Sequence, residues 1–131
     1  FEADVIVALG GGSAMDCAKA MAYFAKGDGK LVAIPTTSGS GSEVTDFAIL
    51  THNGVKHPLV DASLQPDVAI LDSDLLQELP RSLIADTGFD VLAHALEACA
   101  AKGAGTISDL YAREAFRTAY AALPASFAGR K

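Results

Sequence analysis

The segment Pro35-Thr36-Thr37-Ser38-Gly39-Ser40-Gly41-Ser42-Glu43-Val44-Thr45 crowds five hydroxyl side chains and two glycines into the seven positions from Thr36 to Ser42. Hydroxyls both donate and accept hydrogen bonds, and glycine lets a backbone approach a ligand closely. A second cluster, Gly10-Gly11-Gly12-Ser13, precedes a helix-like stretch. Backbone N–H groups there, at the positive end of a helix dipole, make an anion site suited to a pyrophosphate. The cluster is neither G-x-G-x-x-G nor a P-loop, because no Gly-Lys-Ser/Thr occurs. A third feature is Asp90 with His94, four apart and therefore on one helix face. A carboxylate and an imidazole at that spacing can share one divalent cation. Their neighbours Phe89, Val91, Leu92, Ala93, Ala95 and Leu96 are apolar, so the pair needs partners, which a cation would supply. Each feature has a plainer alternative: a flexible linker, a tight turn without ligand, and a solvated or mutually bonded Asp/His pair.

These residues need elements to hold them. Asp4–Leu9 and Leu31–Ile34 are short apolar runs that read as buried strands, each leading into one of the two glycine-bearing loops. Between them, Ala14 to Lys26 carries Met15, Ala18, Met21, Ala22 and Ala25 at helical spacing, with Ser13 and Asp16 as its expected N-terminal cap. A loop just beyond a strand's carboxyl end is where open α/β sheets bind nucleotides. Phe47–His52 and Val55–Val60 flank Asn53-Gly54, a strong hairpin signal. Val68–Leu71 is a further strand, and Leu75–Leu79 a helical turn stopped by Pro80.

From Arg81 onward the pattern is helical. Ser82–Lys102 is expected to be interrupted at Thr87-Gly88, and a helix capped by Ser108 is expected from Asp109 to about Leu123, ended by Pro124. The expected fold is therefore an α/β part, residues 1–80, followed by an all-helical part, residues 81–131. His52 and His57, the only other histidines, fall in the hairpin and read as exposed, so further metal ligands would lie outside this chain.

Composition narrows the function. Half of the 131 residues are apolar, enough for a sizeable core, and the net charge of −6 argues against nucleic acid or an anionic membrane surface as partner. No apolar run approaches the roughly 20 residues of a membrane span. Cys17 and Cys99 fall in two different predicted helices and read as free thiols of a reducing cytosol, small and buried. The opening Phe1 suggests a trimmed or partial chain.

Taken together, the motifs resemble the iron-containing (group III) alcohol dehydrogenases. The residues that carry the resemblance are Gly10-Gly11-Gly12-Ser13-x-x-Asp16-x-Ala18-Lys19, Pro35-Thr36-Thr37-x-Gly39-x-Gly41-Ser42-Glu43-Val44-Thr45, Lys56, Pro66-Asp67-x-Ala69-Ile70-Leu71-Asp72 and Thr87-Gly88-x-Asp90-x-Leu92-x-His94-Ala95-x-Glu97-Ala98. Within that family the chain looks most like the enzymes of propanediol and ethanolamine utilisation, and like the middle of one. The resemblance implies an α/β Rossmann-like nucleotide-binding part, residues 1–80, followed by the start of an all-helical metal-binding domain, residues 81–131. It implies hydride transfer between a primary alcohol or aldehyde and NAD or NADP, with Fe²⁺ or Zn²⁺ at the metal site. Gly11, Gly12 and Ser13 would hold the pyrophosphate, and Thr36, Thr37 and Ser40 would line the dinucleotide pocket. Val44, Ile49, Lys56 and Leu75 would add contacts, and Asp90 and His94 would be two of the metal ligands. It also implies a cytoplasmic protein or one housed in a bacterial microcompartment, with a small-molecule substrate and a homo-oligomeric state. The 131-residue chain alone is expected to be inactive. The competing readings are a non-catalytic nucleotide-binding module and a relative of glycerol dehydrogenase or dehydroquinate synthase.

Overall fold

The computed structural model describes residues 3–25 and 29–129. Its elements run β1 (Val5–Gly10), α1 (Gly12–Ala25), β2 (Lys30–Pro35), β3 (Phe47–His52), β4 (Val55–Val60), β5 (Val68–Ala69), α2 (Arg81–Ala100) and α3 (Thr106–Phe127), with 3₁₀ turns at Ser42–Val44, Ala62–Leu64 and Ser73–Leu76. They form two compact units. One is built from the residues up to Thr37 together with Gly41–Gln77, the other from Ser38–Ser40 together with the residues from Glu78 onward.

In the first unit β1, β2 and β5 make a parallel sheet in the order β1-β2-β5, with Val5 opposite Lys30 and Gly10 opposite Pro35. Alternation along the strands turns Ala8, Leu31 and Ala33 toward Met15 and Ala18 of α1, with Ile6 packed alongside. The small side chains of Ala8, Ala18 and Ala33 let the helix lie close on the sheet. β5 is shorter than the expected Val68–Leu71: Ile70 still donates to the Ala33 carbonyl at 2.8 Å, but Pro35 has no N–H to carry the ladder further. The hairpin is as expected, β3 and β4 pairing from His52 opposite Val55 to Phe47 opposite Val60. Asn53 (φ 51) and Gly54 (φ 75) supply the two positive φ angles of a type I′ turn. The helical turn expected at Leu75–Leu79 forms earlier, at Ser73–Leu76, because the Asp72 carboxylate accepts the Asp74 N–H and starts it there.

Five expectations for the helices are corrected. α1 begins at Gly12, so Ser13 lies inside its first turn rather than capping it, and Asp16 bonds elsewhere; the expected end at Lys26 lies outside the described residues. In the second unit, where α2 and α3 pack together, α2 runs without a break through Thr87-Gly88. Gly88 is there for packing: a Cβ would overlap the Leu123 side chain of α3. α3 begins at Thr106, with Gly105 as its N-cap. The Ser108 hydroxyl accepts the Gly105 N–H at 2.8 Å and donates to the Gly105 carbonyl at 2.9 Å, so Ser108 closes the first turn from inside the helix. Pro124 is carried within the last turn, and the helix ends at Phe127. Cys17 and Cys99 are free thiols, but both are exposed, since the buried residues of α1 and α2 fall at other positions of their faces.

Candidate dinucleotide and metal residues

At the carboxyl ends of β1 and β2 the two loops of the first unit are tied together. The Thr36 N–H donates to the Gly10 carbonyl at 2.9 Å. Gly10 holds φ +151, and a Cβ on it would come within 2.7 Å of the Ala14 Cβ, so only glycine permits this turn into α1. Gly11 packs on Thr37: a Cβ there would sit 3.0 Å from Thr37 Oγ1. The Gly11 carbonyl accepts from Ala14 N at 3.0 Å and Met15 N at 3.1 Å, which starts the helix at Gly12. The N–H groups of Gly12 and Ser13 therefore head α1, where a helix offers no internal acceptor and its dipole is positive. Gly11, Gly12, Ser13, Thr36 and Thr37 thus come together, with Ser13 exposed and the other four half-buried.

Around this turn the other predicted contacts are spread over the unit. Val44 is exposed at the end of a 3₁₀ turn, Ile49 lies on β3, Lys56 on β4 and Leu75 on the 3₁₀ turn after β5. Ser40 belongs with the helical unit.

There, Ser38–Ser40 lies on α2. Thr87 Oγ1 donates to the Leu83 carbonyl at 2.9 Å and shares a 2.9 Å hydrogen bond with Ser38 Oγ. His94 Nδ1 donates to the Gly39 carbonyl at 3.0 Å. A carbonyl only accepts, so Nδ1 carries a proton, and in the neutral form of the ring this leaves the lone pair on Nε2. That lone pair faces Asp90 Oδ1 at 3.7 Å. Two lone-pair atoms face each other across a gap that a divalent ion, bonded to each at about 2 Å, spans. A backbone carbonyl that orients a histidine through its other nitrogen is the usual support of a metal-bound imidazole. The apolar surroundings expected from the sequence are not found: the side chains of Asp90 and His94 are 48% and 53% exposed, because Phe89 and Leu96 themselves face outward. Among the described residues no group of three or more His, Cys, Asp and Glu side chains gathers as a metal site. His52 and His57 are exposed on the hairpin, with His52 Nε2 sharing a hydrogen bond with the Asn53 amide at 3.1 Å. An apolar pocket in the helical unit, lined by Ala85, Phe89, Leu123, Pro124 and Phe127, contains none of the predicted site residues.

Sequence reasoning missed the residues that brace these loops. Asp16, read as a cap, accepts the Ser42 hydroxyl at 2.7 Å and the Ile49 N–H at 3.0 Å. Lys19 is 1% exposed and donates to Thr45 O, Thr45 Oγ1 and Phe47 O. Burial pushes its ammonium below the ordinary lysine value, against the opposing pull of Asp16, Glu43 and Asp46. The one available signal was an acid and a lysine three apart beside apolar helix positions, which implies partners on the buried side.

A glycine turn between parallel strand and helix, in a chain that continues into a helical unit bearing a paired carboxylate and imidazole, defines an α/β class. The chain belongs to the family described as iron-containing alcohol dehydrogenase, which it matches over residues 1–73. The 1-propanol dehydrogenase PduQ of Salmonella typhimurium is 44% identical over 126 residues, covering 92% of this chain and 34% of the relative. Among solved structures, the iron-containing alcohol dehydrogenase of Thermococcus thioreducens is 38% identical with a TM-score of 0.88, over 96% of this chain and 39% of its own. The sulfoacetaldehyde reductase of Bifidobacterium kashiwanohense, solved in complex with NAD⁺, is 37% identical with a TM-score of 0.87, over 95% of this chain and 38% of its own. The chain thus spans about a third of the length of the 1-propanol dehydrogenases it matches, and 18% of the bifunctional aldehyde-alcohol dehydrogenase AdhE of Escherichia coli. Among the described residues no helix is long and apolar enough to cross a membrane.

Proposed function

We propose that these residues supply the dinucleotide-phosphate turn and two metal ligands of an oxidoreductase that moves a hydride between a primary alcohol or aldehyde and NAD or NADP. The observation that carries this reading is the His94 ring, held through Nδ1 by the Gly39 carbonyl with Nε2 turned toward Asp90. When bound there, Fe²⁺ or Zn²⁺ would supply Lewis acidity toward the alcohol oxygen, and the nicotinamide would take the hydride. The chain's own residues bind and orient. Gly11, Gly12 and Ser13 present N–H groups to the pyrophosphate, while Thr36 and Thr37 line the nucleotide with Val44, Ile49, Lys56 and Leu75 beyond them. Asp90 and His94 would hold the cation, with His94 as ligand rather than proton shuttle, because its proton-bearing nitrogen is committed to Gly39.

On this reading residues 1–80 serve the dinucleotide and residues 81–131 the metal. The likeness to a 1-propanol dehydrogenase favours a short primary alcohol as substrate. The reading extends to a homo-oligomer in the cytoplasm or a bacterial microcompartment. The test is alcohol-dependent NAD⁺ reduction by the protein that carries these residues, with Fe²⁺ added anaerobically and 1-propanol as substrate. The expected result is turnover that an Asp90→Ala, His94→Ala variant loses together with its metal. A double variant that keeps both metal and rate would overturn the proposal.

A further inference from the structure

We propose that Asp16 and Lys19 are positioning residues for the dinucleotide, clamping the segment from Ser42 to Ile49 onto α1 and thereby setting the place of Val44, Ile49 and Lys56. The inference rests on the dinucleotide reading above and adds to it two residues of the helix that the glycine turn begins.

A lysine one or two turns into a helix headed by Gly-Gly-Ser invites assignment as a phosphate ligand. Its geometry excludes that. Lys19 is 1% exposed, and its ammonium donates to Thr45 O at 2.7 Å, Thr45 Oγ1 at 3.2 Å and Phe47 O at 2.9 Å. An ammonium has three protons, so no donor remains for a ligand. Asp16 is used in the same way, one oxygen accepting the Ser42 hydroxyl and the other the Ile49 N–H.

What the two side chains satisfy is the open edge of β3. In a two-residue hairpin the pair that closes the turn exchanges both backbone hydrogen bonds, and pairs alternate from there. His52 and Val55 close this turn, so Leu50 with His57 and Ala48 with Leu59 are bonded pairs. Phe47, Ile49 and Thr51 therefore turn their N–H and C=O groups away from β4. Pro58 sits opposite Ile49, where no N–H is required of it. Lys19 takes the outward carbonyl of Phe47 and Asp16 the outward N–H of Ile49, so charged side chains of α1 replace the missing neighbouring strand. Hydrogen bonds to charged groups are shorter and stronger than neutral ones, and this set fixes both the spacing and the register of β3 against α1. The hairpin that bears Lys56 is thus set from the helix that bears the phosphate turn.

The test compares Lys19→Met, which keeps length and apolar bulk but removes the donors, with the milder Asp16→Asn, whose amide still accepts from one neighbour. Three quantities are read on the whole chain: NADH affinity by fluorescence titration, melting temperature, and hydrogen exchange of the Thr45–His52 amides. The expected result is a loss of NADH affinity of about tenfold for Lys19→Met and less for Asp16→Asn, the size of losing one charge-assisted hydrogen bond's worth of positioning. Exchange should rise within Thr45–His52 and not in α2 or α3. If Lys19→Met does not fold, Asp16→Asn carries the same comparison. A folded variant with a lowered melting temperature but unchanged NADH affinity would overturn the positioning role while leaving the proposed function intact. Failure of the unsubstituted chain to bind NADH would overturn the dinucleotide reading, and with it this proposal.

Discussion

Replacing Gly39 with alanine should release the Ser38–Ser40 tripeptide from α2 and with it the orientation of His94. Gly39 holds φ +102, and a Cβ there would lie 2.9 Å from both Asp90 Oδ2 and the Thr87 carbonyl oxygen. An L-residue in that conformation costs about 1–2 kcal/mol. Overlap with a helix carbonyl that cannot move aside adds about 1–3 kcal/mol. Against this sum, two hydrogen bonds hold the tripeptide down, Ser38 to Thr87 and His94 to Gly39, each worth about 0.5–1.5 kcal/mol net. Strain of about 2–5 kcal/mol therefore exceeds a tether of about 1–3 kcal/mol, and the tripeptide leaves while the helix stays. His94 then loses the acceptor that fixes its tautomer, and loss of such a supporting partner typically costs 10- to 100-fold, or about 1.4–2.8 kcal/mol, in metal affinity. The assay is Zn²⁺ titration followed by the imidazole resonances of His94, with His52 and His57 as internal references. Gly41→Ala is the control, because Gly41 has a positive φ of 63 but a methyl group there would meet nothing within 4 Å. Equal Zn²⁺ affinities for the Gly39→Ala and Gly41→Ala proteins would refute this reasoning.

Gly88→Ala should destabilise the helical unit although alanine is the better helix former. The gain of about 1 kcal/mol in propensity is outweighed by about 1–3 kcal/mol of overpacking against Leu123; chemical denaturation of the single variants and of Gly88→Ala, Leu123→Ala should show the double variant recovering part of the loss. Asp67 accepts from Lys30 Nζ at 2.8 Å and from the Leu31 N–H at 2.9 Å, and these bonds hold its carboxyl below the ordinary value of 3.8. A depressed carboxylate contributes stability above its unfolded pKa and loses it in acid. Melting temperatures of wild type and Asp67→Asn should therefore differ at neutral pH and converge as pH falls below 3.8. Lys19 shifts stability in the same direction, in a higher pH range. Its folded pKa lies below the unfolded 10.5, so the unfolded chain binds the proton more tightly and stability rises as pH climbs through the lowered pKa toward 10.5. Melting curves of wild type and Lys19→Met over that range should show wild type gaining on the variant.

What the sequence conveyed depended on how local each cause was. The hairpin was legible to the residue, because Asn53-Gly54 fixes both the turn type and the register. The strands β1 and β2 were legible to within one residue at either end, since each is an apolar run stopped by glycine or proline. Gly88 misled because its reason is a side chain on another helix, which no local window contains. Asp16 misled because its spacing from Ser13 imitates a capping box while its partners, Ser42 and Ile49, lie far along the chain. The Asp90/His94 pair was visible from spacing, but the carbonyl that aims His94 comes from Gly39, 55 residues earlier. The burial expected for both cysteines failed for the same reason: a helical pattern shows which positions share a face, not which face is covered.

The most direct test is metal content and NADH affinity measured together on the wild type and on the Asp90→Ala, His94→Ala variant. The variant is expected to lose metal while its NADH affinity stays within about twofold of wild type, because the glycine turn proposed to hold the dinucleotide and its bracing lie in a unit that neither residue belongs to. A variant that retains its metal, or one that loses NADH binding with it, would contradict the assignment of separate dinucleotide and metal residues.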